Sequence, residues 1–232
     1  MPDYPVPDII YHHNDWIVVC KPAGFTIQEL LEAWQNMLPM TLHPAHRLDK
    51  DTSGLWLIAT NAESNRILSQ LFAQRQVNKV YVCLTQGKPR RKQGKIAGDM
   101  SKSRRGQWKL ERTQQNPAIT LFRSIGTNDA DGLRIVFCKL FTGKTHQIRV
   151  AMNANGTPIA GDAIYQPGKA DKYDRLYLHA WHLGFRYQNQ EYRFTMMPNT
   201  GERFSDSLIQ AASEQLPIDF ISPEAKHETD HH

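Results

Sequence analysis

The longer apolar segments of this chain are only as long as β-strands, and this restricts the fold more than any other feature. Residues 16–20 and 55–59 are typical examples, each bounded by polar or turn-forming residues. A helix that spans a bilayer needs roughly 20 mostly apolar residues. We therefore expect no association with a membrane, and short apolar runs of this kind indicate a protein rich in strands.

Strand patterns outnumber helical patterns along the chain. Helical spacing follows the capping residues Thr26, Asn61 and Ser205 and extends to about residues 38, 76 and 215. A further short helix is predicted over 145–153. The predicted strands are 9–11, 16–21, 55–60, 80–84, 118–124, 133–141, 176–187 and 192–196.

These strands occur as hairpin-like pairs and do not alternate regularly with helices. This order predicts an α+β fold with a mostly antiparallel sheet. The length of 232 residues suffices for one large domain. We predict a single catalytic domain over 1–221 and a polar, disordered tail over 222–232, whose histidines we do not expect to form a site.

The cysteines point to a reducing compartment. Cys20, Cys83 and Cys138 are widely spaced, odd in number and each lie in an apolar run. This pattern is typical of buried thiols and not of a disulfide framework or a paired-cysteine metal site. The first residues show no basic stretch followed by an apolar one, so we expect a cytoplasmic protein.

Positive charge is concentrated in one segment. Residues 88–112 contain ten basic and two acidic residues, a net charge of +8, whereas the whole chain carries +5. Such a segment can be a solvated loop, but its charges repel one another without an anionic partner. Trp108 lies within it and offers a ring for base stacking. We therefore predict an RNA-contacting insertion or loop.

A polar loop at 43–53 leads directly into an apolar strand. Asp49 lies there beside Arg47 and Thr52, and polar groups on a loop held by a rigid strand often carry a site. From the residues alone, the more frequent outcome is a turn in which a carboxylate caps backbone N–H groups.

The same loop contains a spacing that resembles a metal site. His43, His46 and Asp49 are separated by three residues and would share one face of a helix. A proline and a glycine interrupt any regular helix, and no HExxH or paired-cysteine pattern occurs. We expect no metal, and a metal-dependent hydrolase using His43, His46 and His146 is the least favoured function.

Two further positions have both functional and purely structural interpretations. Gly143 ends a strand, and Arg149 lies on the first turns of the helix that follows, where it can hold a phosphate or a carboxylate. From the residues alone, a solvated arginine on an exposed helix face is the favoured interpretation. Tyr81 alternates with Val80 and Val82 on a strand, and it can line a pocket or pack against a neighbouring strand.

Taken together, these segments resemble the RluA-type family of RNA pseudouridine synthases. The sequence HRLDKDTSGL at 46–55 matches the HRLDxxTSGL pattern of that family at every fixed position. The other matching segments follow in family order and extend the resemblance over roughly residues 8–198. They are NDWIVVCKPAG at 14–24, KVY at 79–81, GKTHQIR at 143–149 and LHA at 178–180.

The resemblance implies a mixed, largely antiparallel central sheet flanked by helices and loops, with an RNA cleft along it. It implies isomerisation of uridine to pseudouridine in RNA, with Asp49 as the catalytic carboxylate, Tyr81 lining the uracil pocket and Arg149 paired with Asp49. The target uridine would be flipped out of its stack. The carboxylate can either form an adduct with the sugar or remove a sugar proton, and neither route needs a cofactor.

The same resemblance and the positive segment suggest a wider set of RNA contacts. Lys144 stands where the family usually has arginine, which removes a planar fork but keeps the charge. The expected contacts are Arg47, Thr52, Lys79, Lys144, His146, Arg90, Arg91, Lys92, Arg104 and Arg105.

Two alternatives concern the role of the whole chain. The first is a stand-alone enzyme: only fourteen residues precede Asp15, so we expect a compact, monomeric family member without an S4-type domain, acting on ribosomal or transfer RNA. The second is a catalytically silent RNA-binding or chaperone module on the same fold. The presence of Asp49, Tyr81 and Arg149 favours the enzyme.

Overall fold

The computed structural model describes residues 4–127 and 132–221, so the predicted tail over 222–232 lies outside the described residues. Twelve strands occur in the described part of the chain. They are β1 (Asp8–His12), β2 (Trp16–Lys21), β3 (His43–Pro44), β4 (Ser53–Ala59), β5 (Asn78–Thr85), β6 (Gln93–Gly98), β7 (Met100–Lys102), β8 (Trp108–Leu110), β9 (Ala118–Gly126), β10 (Arg134–Leu140), β11 (Leu178–Tyr187) and β12 (Gln190–Thr195).

The described residues also form five α-helices, and three of them begin at the predicted caps. Thr26, Asn61 and Ser205 each accept a hydrogen bond from a backbone N–H of the first turn, and Thr26 forms a full capping box with Glu29. The helices are α1 (Ile27–Gln35), α2 (Ala62–Ala73), α3 (Gln147–Ala154), α4 (Asp206–Ser213) and α5 (Ile218–Ile221).

One large sheet organises the molecule. Its strand order is β1-β2-β4-β11-β5-β10-β9-β6, with β12 added to β11 and β3 added to β4. The pairing of β4 with β11 is parallel and the other pairings are antiparallel. This confirms the predicted α+β class and its mixed, largely antiparallel sheet. No helix in the described ranges is long and apolar enough to cross a membrane.

Both faces of the central strands are covered. Every residue of β2 and β4 is buried, and so is each residue of β5 except Lys79. The alternation of Val80 and Val82 with Tyr81 therefore does not separate a core face of the sheet from a solvent face, because core residues pack on both faces. The three cysteines are buried and free, as expected.

The positive segment at 88–112 has more regular structure than predicted. β6 is an edge strand of the large sheet, paired with β9, while β7 and β8 form a separate two-stranded sheet. Glycine and lysine have low strand propensity, so the residues of β6 carry no strand signal of their own. Backbone pairing with β9 supplies the missing stabilisation.

Candidate active site

The three predicted catalytic residues line one open cleft. Asp49, Tyr81 and Arg149 come from the loop before β4, from β5 and from α3, and the cleft they share has a volume of about 420 Å³. Four of the predicted RNA contacts line it as well. They are Arg47, Thr52, Lys79 and Lys144.

The cleft is strongly positive. Asp49 is the one carboxylate among its lining residues, whereas five lining side chains are basic. Arg75, which the sequence analysis missed, is one of the five and has left-handed backbone geometry with φ 59° at the end of α2. A cleft of this composition suits a polyanion with one reacting group held against the carboxylate.

The loop that carries Asp49 is held from below by a buried lysine. The Lys21 ammonium donates to the carbonyl oxygens of Pro22, Lys50 and Thr52 at 2.8, 2.9 and 3.0 Å. Burial lowers the pKa of Lys21 to about 8, and the nearby carboxylates oppose this shift. The lysine therefore satisfies two carbonyls of the loop before β4 and one at Pro22, a role that its place at the end of an apolar strand suggests only in retrospect.

The strand after this loop is fixed by a close backbone contact. Gly54 has φ +111° and lies against β11, where an added Cβ would be 2.4 Å from the carbonyl oxygen of Ala180. Only glycine fits both this geometry and this approach. The parallel pairing of β4 with β11 thereby sets the position of the loop at 45–52.

His46 supports the loop through both its ring and its backbone. Its Nε2 accepts the Leu57 N–H at 3.1 Å, its carbonyl accepts the Trp56 indole N–H at 3.1 Å, and its ring stacks on Phe72 at 4.3 Å. Burial lowers its pKa to about 3, which keeps the imidazole neutral. Within the described residues no group of three possible metal ligands occurs.

Tyr81 and Lys79 project from β5 into the cleft. Tyr81 is 8% exposed, and burial, followed by the negative charge of Asp49, raises its pKa. The phenol therefore stays neutral beside the carboxylate. Lys79 lies above the ring of Phe72 at 5.5 Å, and burial lowers its pKa to about 8.

The predicted pairing of Arg149 with Asp49 is wrong as a direct ion pair. Arg149 donates from Nε and Nη2 to both carboxylate oxygens of Asp162 at 2.8 and 2.7 Å, and both side chains are almost fully buried. Asp162 also accepts the backbone N–H groups of Ile164 and Tyr165 at 3.0 Å. The planar guanidinium matches this fixed carboxylate better than it matches a carboxylate on an open loop.

Asp49 still acts on Arg149 through space. The Arg149 pKa is raised overall: burial lowers it, but the bonds to Asp162 and the charge of Asp49 outweigh that effect. Arg149 also places its guanidinium 5.2 Å from the ring centre of Tyr165. Asp162 and Tyr165 were not identified from the sequence, because neither lies in a segment with a recognisable spacing to Arg149.

His146 is not among the residues that line the cleft. It has left-handed geometry with φ 58° at the start of α3, and its Nδ1 lies 3.2 Å from the hydroxyl of Tyr165. Burial, followed by the charge of Arg149, lowers its pKa. The imidazole is therefore neutral and can accept a hydrogen bond.

Four more of the predicted contacts, Arg90, Arg91, Lys92 and Arg104, are not among the residues that line the cleft. Arg90 and Arg91 line a second cavity of about 470 Å³ together with Arg112, and the two cavities share no lining residue. Lys92 and Arg104 are exposed, and Arg105 belongs to the short helical turn at 104–106. The sequence therefore identified basic residues that the fold divides between separate surfaces.

The second cavity has a rigid wall. The buried Asn155 accepts the Arg91 N–H on Oδ1 at 3.1 Å and donates to the Arg91 carbonyl at 3.0 Å, and its own carbonyl accepts the Arg90 N–H at 2.9 Å. Glu111 also lines this cavity, but its carboxylate is paired with a lysine. Within the described residues Arg90, Arg91 and Arg112 make no ion pair with a carboxylate. Three positive groups therefore face the same space without a carboxylate partner.

Comparison with known proteins places this geometry in one family. Residues 15–154 match the family model described as RNA pseudouridylate synthase. The chain is 43% identical over 205 residues to a Haemophilus influenzae protein named as an uncharacterized RNA pseudouridine synthase, covering 84% of this chain and 89% of the relative. It is 31% identical over 197 residues to the dual-specificity RNA pseudouridine synthase RluA of Pasteurella multocida, covering 80% and 90% of the two chains.

A solved structure shows the same fold. The human RNA pseudouridylate synthase domain containing 1 superposes with a TM-score of 0.74 over 94% of this chain and 99% of that chain, at 24% identity. The family model covers more than half of the chain and includes the segments that carry Asp49, Tyr81 and Arg149. The chain therefore belongs to the RNA pseudouridylate synthase family, as an RluA-type RNA pseudouridine synthase.

Proposed function

We propose that this enzyme isomerises a specific uridine in ribosomal or transfer RNA, with Asp49 as the catalytic carboxylate and the target uridine flipped into the cleft. The observation that carries the proposal is the convergence of Asp49, Tyr81 and Arg149 on one positive cleft from positions far apart in the chain. The relatives support RNA as the substrate, and the resemblance supports these three residues.

The reaction itself sets the requirements of the site. The N1–C1′ bond breaks, the uracil turns, and a C5–C1′ bond forms, while C5 releases a proton to solvent and N1 takes one up. No electrons and no atoms are gained or lost, so the chemistry needs neither an oxidant nor an external nucleophile. A carboxylate beside the electron-deficient C1′ can attack it or can remove a sugar proton. Asp49 lines the cleft, and we assign it to one of these two routes.

The size and lining of the cleft fit a single nucleotide. A volume of about 420 Å³ lies within the range of pockets that hold small ligands, about 300–1,000 Å³. Taking a base out of its stack costs a few kcal/mol, and stacking on an aromatic ring returns about 1–3 kcal/mol. Tyr81 is one of three Phe or Tyr rings that line the cleft, with Phe72 and Phe141, and its neutral phenol avoids repulsion with the carboxylate of Asp49.

Basic residues around the cleft fit the phosphates next to the flipped nucleotide. Arg47 is exposed at the cleft, while Lys79 and Lys144 are half-buried in its wall. Contacts to phosphate set position and register and carry no sequence information. The second cavity, with Arg90, Arg91 and Arg112, lies near the far end of α3 from Arg149. It offers a further phosphate site on the same RNA.

The test compares two neighbouring carboxylates. RNA from a source strain that lacks the gene, labelled with 5-tritiated uridine, releases tritium when pseudouridine forms. We expect Asp49→Asn to abolish this release while RNA binding persists, and Asp51→Asn, on the same loop but absent from the cleft lining, to retain most of it. Wild-type release by Asp49→Asn would refute the catalytic assignment.

Mapping of pseudouridine identifies the substrate. One missing pseudouridine in the ribosomal or transfer RNA of the deletion strain, restored by the wild-type gene and not by Asp49→Asn, is the expected result. RNA binding by the wild-type protein without any missing modification would favour the catalytically silent module.

A further inference from the structure

The two short strands β7 and β8, with the turn between them, form a basic arm over residues 100–110. At its base, the Asp99 N–H donates to the Thr113 carbonyl at 2.8 Å and the Glu111 N–H donates to the Asp99 carbonyl at 2.7 Å. The arm is a separate two-stranded sheet with three residues in each strand. A hairpin of this size has little stability of its own, so its position depends on what its tip contacts.

The tip of the arm is bonded to a turn behind the active site. The Gln107 side-chain amide donates to the Ile164 carbonyl at 2.5 Å, and the Trp108 backbone N–H donates to the Tyr165 hydroxyl at 2.9 Å. These bonds connect a segment rich in positive charge to the turn that follows Asp162. They therefore join the arm to the structure that holds Arg149.

Tyr165 lies at the centre of this connection. Its hydroxyl accepts the Trp108 N–H and lies 3.2 Å from Nδ1 of the neutral His146, which can accept the hydroxyl proton. Its ring faces the Arg149 guanidinium at 5.2 Å, and its backbone N–H is bound by Asp162. One buried side chain thus touches the arm, the residue that starts α3 and the guanidinium of the cleft.

We propose that Tyr165 is a positioning residue that couples docking of the basic arm to the orientation of Arg149 and His146 beside Asp49. This inference rests on the proposed function. If a docked arm favours the ordered cleft, RNA phosphates that bind the docked arm better than the undocked one favour the ordered cleft too. Binding of RNA outside the cleft then contributes to the chemical step inside it.

The alternative is that Tyr165 only fills space, and Tyr165→Phe separates the two. Phenylalanine keeps the ring against Arg149 and removes both hydroxyl bonds. The assay follows tritium release with enzyme in excess over tritiated RNA from the deletion strain. We expect the rate at saturating enzyme to fall about tenfold, which corresponds to about 1.4 kcal/mol, with the half-saturating enzyme concentration changed less than twofold. Poorer packing alone would not separate these two quantities in this way.

The matched control is Tyr187→Phe. Tyr187 is also buried and its hydroxyl donates to Asp15 at 3.1 Å, but it lines neither the cleft nor the arm. This variant should show the wild-type rate at saturating enzyme. Tm values of both variants report any general loss of stability.

A second variant tests the connection without changing Tyr165. Gln107→Ala removes the other tip bond and leaves the buried turn intact. If both bonds act through arm docking, Tyr165→Phe combined with Gln107→Ala loses no more rate than the larger single effect. Independent effects that multiply would overturn the coupling.

Hydrogen exchange gives a readout that does not depend on catalysis. In the free protein, the Trp108 amide should exchange faster in Tyr165→Phe than in wild type. In Tyr187→Phe its exchange rate should equal that of wild type. Unchanged exchange together with a wild-type rate at saturating enzyme would refute the inference. An inactive wild-type enzyme would contradict the proposed function instead, and the exchange experiment would still decide whether Tyr165 docks the arm.

Discussion

Breaking the buried ion pair between Arg149 and Asp162 should lower the free energy of unfolding more than breaking an exposed ion pair does. Asp162→Asn keeps the size of the side chain and an oxygen that can accept the backbone N–H groups of Ile164 and Tyr165. It replaces the second carboxylate oxygen, which accepts from Arg149 at 2.8 Å, with an amide NH2 group, and it leaves the guanidinium charge unpaired. Removal of one partner from a buried pair costs about 3–5 kcal/mol.

The size of this effect follows from burial. The side chains of Arg149 and Asp162 are 4% and 0% exposed, whereas those of Arg193 and Glu191 are 51% and 36% exposed. Glu191→Gln is therefore the control, and we expect it to cost less than about 1 kcal/mol. For a chain of this length about 1 kcal/mol lowers Tm by about 2–4 °C, so Asp162→Asn should lower Tm by about 6–20 °C. Thermal unfolding measures the Tm of the two variants, and urea unfolding measures their free energies of unfolding.

A double substitution separates the structural role of the pair from its role in the cleft. Arg149→Met with Asp162→Asn removes both charges, so no buried charge is left unpaired, and the asparagine oxygen can still accept the backbone N–H groups of Ile164 and Tyr165. We expect most of the decrease in Tm to be reversed while tritium release stays far below wild type, because Arg149 also lines the cleft beside Asp49. A Tm for Asp162→Asn within about 2 °C of Glu191→Gln, the shift expected for about 1 kcal/mol or less, would refute the reasoning about burial.

Two further predictions concern salt and pH. Replacing the basic residues outside the cleft by glutamine should reduce the slope of log affinity for RNA against log salt by about 0.7–0.9 for each phosphate that the variant no longer neutralises. Replacing Arg66, Arg186 and Arg193 in the same way is the control and should leave the slope unchanged. An unchanged slope in the first variant would place the basic segment outside the interface. The residues to replace are Arg90, Arg91, Lys92, Arg104 and Arg105. Burial, followed by the charge of Arg175, lowers the pKa of His179 to about 3, so the unfolded chain binds the extra proton first and stability is lost as pH falls below about 6.5. His179→Gln should reduce the slope of the unfolding free energy between about pH 6 and 5 by up to about 1.4 kcal/mol per pH unit, and an unaltered slope in urea titrations would contradict this.

Local sequence patterns predicted most of the regular structure. The caps at Thr26, Asn61 and Ser205 depend on bonds within one turn of helix, so their signal is complete in a few residues. The strands with dense apolar character were predicted for the same reason. β6 was missed because its stabilisation comes from pairing with β9 and not from its own composition.

The candidate site was predicted less completely. The resemblance identified Asp49, Tyr81 and Arg149, and the fold brings them to one cleft. The predicted direct partner of Arg149 was wrong, and the roles of Lys21 and Tyr165 were not predicted. Each depends on a side chain meeting a carboxylate or a backbone group more than ten residues away along the chain.

Local periodicity and motifs of fixed spacing were enough to establish the fold class, the family and the residue types that the chemistry requires. Which charges meet depended on the folded chain. Folding paired Arg149 with Asp162, left Asp49 as the single carboxylate of a positive cleft, and divided the basic segment between a second cavity and an arm that docks on Tyr165. Ion pairs and hydrogen bonds act over a few ångströms in space, and a spacing along the chain does not specify that distance.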